Sequence, residues 1–155
     1  MIVALIGMLG LIVGSFLNVV IMRHSTGSSV LKGRSRCFAC GHVLEWHELI
    51  PLASFFIQKG HCRACSTRIS WQYPIVELLT GMLFFLVWLK ATESGIMNYE
   101  SWFINYGLLV TGYWLSFFSL LIVIAVYDFR TKIIPDRFVY PLIIFGIGYA
   151  LLFSI

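Results

Sequence analysis

From Met1 to Met22 the chain carries no charged residue and is built largely from Ile, Leu, Val and Gly. A run of that length is enough to cross a bilayer as one helix. A cleaved signal peptide is the rival reading. The run has no basic leading region or small-residue cleavage site and is too long for one, so a membrane helix is expected. Composition agrees: of 155 residues, 59% are hydrophobic and 12% charged, with a mean hydropathy of +0.89. A soluble domain averages about 45–50% apolar and about 25% charged. That shortage of charge excludes a soluble enzyme, a disordered region or a disulfide-rich secreted module.

Three further apolar runs follow. Tyr73 to Leu89 is opened by Pro74, a residue tolerated in the first turn of a helix. Trp102 to Tyr127 carries Trp and Tyr near its ends, where interfacial anchors sit. Phe138 to Ile155 makes a fourth run. Leu49 to Ile57 is apolar too, but it is far too short to span as a helix. It reads as an interfacial piece or as the core of the loop that contains it. The expected fold is therefore all-α: a polytopic membrane protein of about four transmembrane helices with a small loop module. The chain divides into residues 1–22 (first helix), 23–72 (loop module) and 73–155 (helices two to four).

Basic residues set the expected orientation. Between Arg23 and Arg68 lie seven Lys/Arg against only Glu45 and Glu48. Residues 91–101 contain no Lys or Arg, whereas Arg130, Lys132 and Arg137 fall between Asp128 and the fourth run. Positive charge favours the cytoplasmic side. The amino terminus is thus expected outside, with the long loop and the Asp128 loop inside. This topology already accounts for the basic residues, so no nucleic-acid partner is invoked; membrane lipid is the expected surroundings.

The long loop contains Cys37-Phe-Ala-Cys40 and Cys62-Arg-Ala-Cys65. Two thiolates separated by two residues turn a knuckle that aims both sulfurs at one ion, and two knuckles complete a tetrahedral site suited to Zn²⁺. Gly41 and Gly60 stand where such turns need relaxed backbone angles. Two disulfides, disfavoured in a reducing compartment, and free thiols are the alternatives. His42, His47 and His61 are read as surface histidines, since four cysteines already fill the site.

Polar residues inside the spans are few. Gly7, Gly10, Gly14 and Asn18 share one face of the first helix, which permits close packing with another helix and a hydrogen bond across it. Glu77 lies early in the second span. It is either functional or stabilised by the helix dipole and Arg68. Asp128 sits at the end of the third span, where the dipole disfavours a carboxylate, so a chemical role is expected for it. Asp136, after Pro135, reads as a helix cap.

Four segments in order resemble the prepilin leader peptidase family, the bifunctional type IV prepilin peptidase/N-methyltransferases of the bacterial inner membrane. These are Gly14-Ser15-Phe16-Leu17-Asn18-Val19; the paired knuckles with Leu49-Ile50-Pro51 between them; Tyr73-Pro74-Ile75-Val76-Glu77-Leu78-Leu79-Thr80-Gly81; and the stretch from Asp128 through Lys132-Ile133-Ile134-Pro135-Asp136 to Arg137. The resemblance implies an aspartic endopeptidase that cuts the leader of type IV prepilin or pseudopilin precursors at the cytoplasmic membrane face. It also implies N-methylation of the new amino terminus from S-adenosylmethionine. The family's first catalytic aspartate corresponds to Asp128. Its second lies in a G-x-G-D motif that this sequence does not contain. The chain is accordingly expected to be an amino-terminal portion, inactive alone and needing a complementary carboxy-terminal portion. The alternative is a non-catalytic zinc-bearing membrane subunit for pilus or secretion assembly.

Overall fold

A computed structural model describes residues 2–27, 29–30, 33–93, 101–133 and 136–153, without the side chains of residues 101–106 and 152–153. The elements are α1 (Ile2–Ser25), α2 (Ala53–Ile57), α3 (Gln72–Glu93), α4 (Ser101–Thr131) and α5 (Asp136–Phe153), with a single 3-10 turn at Trp46–Leu49. Among the described residues there is no β-strand; two isolated antiparallel bridges, Arg36 with Val43 and His61 with Arg68, pin the loop. Three helices are long and apolar enough to cross a membrane: Ile2–Ser25, Gln72–Glu93 and the Gly107–Thr131 part of α4. The fourth expected span corresponds to α5, and its far end runs beyond the described residues. The short connection at residues 94–100 lies outside them as well.

The chain forms two compact units, Met1–Met82 and Leu83–Ile155. In the first, α1 presents two unlike faces. Gly10, Gly14, Leu17, Asn18 and Ile21 are buried, a stripe at helical spacing. Ile2, Leu5, Met8, Ile12 and Phe16 are exposed, as befits a face that lipid rather than water would cover. The buried stripe meets the first turns of α3 at very close range. A Cβ built on Gly14 would stand 2.8 Å from the Cα of Glu77, and one on Gly81 would stand 2.6 Å from Leu11 Cδ2. Only glycine lets the two backbones approach so closely. Val76 and Thr80 on α3 are almost wholly buried, and the Thr80 hydroxyl donates to the Val76 carbonyl (2.7 Å), so it is not left unpaired.

Asn18 bonds across this packing: its Nδ2 donates to the Tyr73 carbonyl (3.1 Å), and its Oδ1 accepts from Gln72 Nε2 (3.3 Å). The cross-helix bond expected of Asn18 is present. Helix α1 ends where Gly27 takes φ 67° and its N–H bonds the His24 carbonyl, a left-handed stop that glycine adopts cheaply. Just beyond, Arg23 gathers the start of the loop, donating to the carbonyls of Ser29, Val30 and Gly33 at 2.9–3.2 Å.

The second unit contains an antiparallel hairpin of α4 and α5 built on aromatic rings. Tyr113 packs on Phe145 and Tyr149, Trp114 on Tyr149, and Tyr127 on Phe138. The Tyr113 hydroxyl donates to the Phe145 carbonyl at 2.7 Å. Helix α4 runs one turn past the expected end of its span. It stops at Lys132, whose φ of 57° and N–H to the Asp128 carbonyl (2.8 Å) close the last turn.

Candidate functional site

The loop module is two copies of one turn. In the first knuckle the Cys37 N–H bonds the His42 carbonyl and the Gly41 N–H bonds the Cys37 carbonyl. In the second the Cys62 N–H bonds the Thr67 carbonyl and the Ser66 N–H bonds the Cys62 carbonyl. Each turn requires a left-handed residue just after its second cysteine. Gly41 supplies it at φ 73°, and Ser66 supplies it at φ 55°, where a side chain costs about 1 kcal/mol or more. Gly60 also has positive φ, and a Cβ there would press on the Phe55 ring at 3.2 Å. Phe55 is buried and stacks near Trp71. The apolar stretch at residues 49–57 therefore forms the core of the module.

The knuckles converge. The sulfurs of Cys37, Cys40, Cys62 and Cys65 all lie within 4.8 Å of one another, and all four are free thiols. Cys37 and Cys65, one from each knuckle, stand 3.9 Å apart. Four sulfurs about 2.3 Å from one zinc ion would be separated by about 3.8 Å, so the donor set fits a single tetrahedral ion. The surroundings prepare thiolates. The Cys40 N–H lowers the Cys37 thiol, and the Thr67 hydroxyl, then its N–H, bring Cys65 down to about 6. Cys40 receives the His42 N–H, yet sharing protons with Cys65 and the other sulfurs leaves it pushed up to about 11. An ion bound by all four sulfurs would displace the protons they share.

Behind the cluster lies a carboxylate that sequence reasoning passed over. Glu48 is buried; its Oε2 accepts the Glu45 N–H (2.9 Å) and faces His42 Nε2 (3.3 Å). Those contacts, the Glu45 N–H first, hold its carboxyl below the usual range. The Glu45 and Glu48 side chains form a reciprocal capping box around the 3-10 turn, and the Glu45-x-x-Glu48 spacing is the signal that could have shown it. His47 contacts Arg63 and Glu45, and His61 Nδ1 lies 2.7 Å from the Lys59 carbonyl. None of the three histidines joins the sulfur cluster.

Glu77 is not paired with Arg68. Its Oε2 accepts the Leu52 N–H at 2.8 Å. Leu52 occupies φ 59°, ψ −52°, with the Ala53 N–H 2.6 Å from the Pro51 carbonyl. That is the strained form of the γ-turn. The buried carboxylate holds it in place, so the first turns of α3 dock the module. Between the end of α1, the knuckles and the start of α3 lies a cavity of about 660 Å³, lined by Asn18, Glu48 and Glu77 among others.

Asp128 belongs to the other unit. It lies in the last turn of α4, half-buried, with no ion pair or side-chain hydrogen bond among the described residues. Asp136 is the first residue of α5, where the dipole favours a carboxylate.

A polytopic helical membrane protein carrying a four-thiol knuckle module is the class these features define. A model of the bacterial peptidase A24 N-terminal domain matches residues 8–91, and one of the type IV leader peptidase family matches residues 115–155. The chain belongs to this family, the bacterial A24 or type IV leader peptidases. It resembles the prepilin leader peptidase/N-methyltransferase of Myxococcus xanthus, at 58% identity over 77 residues (50% of this chain, 23% of the relative). Those of Neisseria gonorrhoeae (34%, covering 96% of this chain and 56% of the relative) and Bacillus subtilis (37%, covering 83% and 46%) are also similar. The chain spans about half the length of these last two relatives and less of the first. No solved structure matches it.

Proposed function

We propose that the chain serves a membrane aspartic endopeptidase that removes the leader from type IV prepilins or pseudopilins, with methylation of the new amino terminus. The observation that carries this reading is Asp128: a half-buried carboxylate held in the last helical turn, against the dipole, with no ion pair of its own among the described residues. Aspartic cleavage needs two carboxylates sharing a proton, one activating water and the other polarising the scissile carbonyl. Asp128 is one of the pair. The second must come from a G-x-G-D segment that these 155 residues do not contain. The basic residues around the module and after Asp128 support a multi-pass inner-membrane protein with its amino terminus outside. Impermeant thiol labelling at single cysteines introduced at Asn98 and Ser28, in a cysteine-free background, tests that orientation. Labelling from outside at Ser28 alone would reverse it.

Zn²⁺ is the ion proposed for Cys37, Cys40, Cys62 and Cys65. With four protein ligands it leaves no open position, so its role is structural: it holds the knuckles together and neutralises the thiolates. S-adenosylmethionine is the proposed methyl donor, supplying an activated methyl group to the new amine.

The deciding experiment supplies the chain with a G-x-G-D-bearing carboxy-terminal portion and follows prepilin cleavage. Asp128→Asn should abolish it, since asparagine keeps the shape but cannot exchange the proton; Asp136→Asn should be mild. Full activity of the Asp128→Asn protein would end this reading. A non-catalytic zinc-bearing subunit is the second reading, and the converged four-cysteine cluster is what it would rest on. It predicts that the supplemented chain still fails to cleave.

A further inference from the structure

The apolar stretch that builds the core of the metal module has a second side. Phe55 of α2 turns inward and is buried, but its neighbours Phe56 and Ile57 are 63% and 77% exposed. Trp71, just before α3, is 64% exposed. Phe56 and Trp71 both touch the Phe55 ring, with centroids at 5.8 Å and 4.9 Å, so they belong to one patch. An apolar patch left open in this way marks an interaction surface. Its place in the fold says what covers it. The Ile75 N–H bonds the Trp71 carbonyl, which puts Trp71 in register with α3. Trp71, Ile75, Leu78 and Met82 then recur at helical spacing, and all are exposed. They form one apolar stripe along a helix fit to cross a membrane. The patch on α2 continues that stripe past the end of the helix.

Depth agrees with this. The Leu52 N–H, at the start of α2, is bonded to Glu77. At 1.5 Å per residue, Glu77 lies about 8 Å along α3 from its first residue. Helix α2 therefore starts level with the second turn of a span, not out in the loop. We propose that Phe56, Ile57 and Trp71 form a membrane anchor, which seats the metal module in the boundary between lipid headgroups and acyl chains. Interfacial segments with Trp and Phe on one side sink about 5–10 Å into that boundary. A single helical turn would bind a bilayer poorly by itself. Here the Glu77 bond and the Phe55–Trp71 contact already fix α2, so little ordering cost falls on its insertion. Lys59, exposed close behind Ile57, has the long stem that lets an ammonium reach the headgroups from such a site. The Gly60 N–H bonds the Phe55 carbonyl, so the chain passes directly from the anchor to the second knuckle. The anchor thus sets how far the thiol cluster stands from the bilayer, whatever the chain cuts or methylates.

Fluorescence quenching of the full chain in lipid nanodiscs tests the anchor. The five native tryptophans are replaced by phenylalanine, which keeps a ring against Phe55, and Ile57→Trp then supplies the sole fluorophore. Hydrogen exchange across the module checks that it still folds. Lipids brominated near the headgroup end of the acyl chain should remove at least about half of the emission, and lipids brominated near the tail should remove less. Iodide in the water should have little effect. A smaller loss to lipid overturns the proposal in either of two ways. Strong quenching by iodide instead would place the patch in water. Shielding from both quenchers would mean that protein covers it, a second copy of this chain or another partner. Where the tryptophan-free background fails to fold, a diazirine amino acid at position 57 of the otherwise native chain gives the same reading. Photolysis should then yield lipid adducts; adducts to protein alone, or none, would overturn the anchor.

Discussion

The two units of this protein solve the same problem, packing helices where lipid offers no hydrophobic drive, with opposite materials. The first uses small and polar residues: Gly14 and Gly81 bring backbones together, Asn18 bonds across, and Glu77 reaches from α3 into the loop. The second uses rings, with Tyr113, Trp114, Phe145 and Tyr149 interlocked and the Tyr113 hydroxyl bonded to the Phe145 carbonyl. Small-residue packing is intolerant at Gly14, because what a new atom meets there first is backbone. Ring packing yields more easily, because side chains can rotate away. The first unit is therefore the brittle one, and it also bears the metal module and the cavity.

The contrast is sharpest for metal removal. Cys37→Ser/Cys62→Ser should lose the one zinc ion per chain by metal analysis. Binding free energy in such modules is folding free energy, about 10–16 kcal/mol for structural zinc, so residues 33–70 should lose hydrogen-exchange protection. Gly107–Thr131 should keep its protection; loss there too would break the distinction between the units. Next in size is Gly14→Val, which sets a branched side chain against the Glu77 Cα and should cost about 3 kcal/mol or more in denaturant titration. A cost below about 1 kcal/mol would show that α1 and α3 pack less tightly than described. Asn18→Leu removes two cross-helix hydrogen bonds and should cost about 1–2 kcal/mol. Smallest is Tyr113→Phe: the rings stay and one bond goes, about 0.6 kcal/mol by the average for membrane hydrogen bonds. Should Tyr113→Phe cost more than Asn18→Leu, the second unit depends on its polar contact and the comparison is reversed.

A milder test compares the knuckles themselves. Ser66→Gly should stabilise the module by about 0.5–1 kcal/mol, because Ser66 holds an angle that glycine adopts freely. Gly41→Ala should destabilise it by about 1 kcal/mol or more. Thermal unfolding of the zinc-loaded chain measures both.

Much of this was legible from residue order. Uncharged length announces a span, because each charged residue in hydrocarbon is costly. Two C-x2-C pairs announce a tetrathiolate, because the knuckle is made within each pair. The Gly10, Gly14, Asn18 stripe could be read because helical period alone puts those residues on one face. Other features could not be read. For Glu77 the sequence leaves a functional role and stabilisation by the dipole and Arg68 equally open; in the structure it serves the Leu52 N–H, 25 residues away, in a turn whose strained angle no residue type signals. Glu48 entered the sequence reading only as one acidic residue among the loop's basic ones, and it is the capping box that folds it inward.

Sequence by itself carried the family resemblance through its motifs, and the helical spans, the paired cysteines and the candidate carboxylate Asp128 through composition or spacing along a few turns. Only tertiary structure decided which carboxylates are buried, that two knuckles close on one point, and that a cavity opens beside them. Those outcomes depend on contacts between residues tens of positions apart. Such contacts follow from backbone approach at Gly14 and from one hydrogen bond at Leu52, which local pattern does not encode.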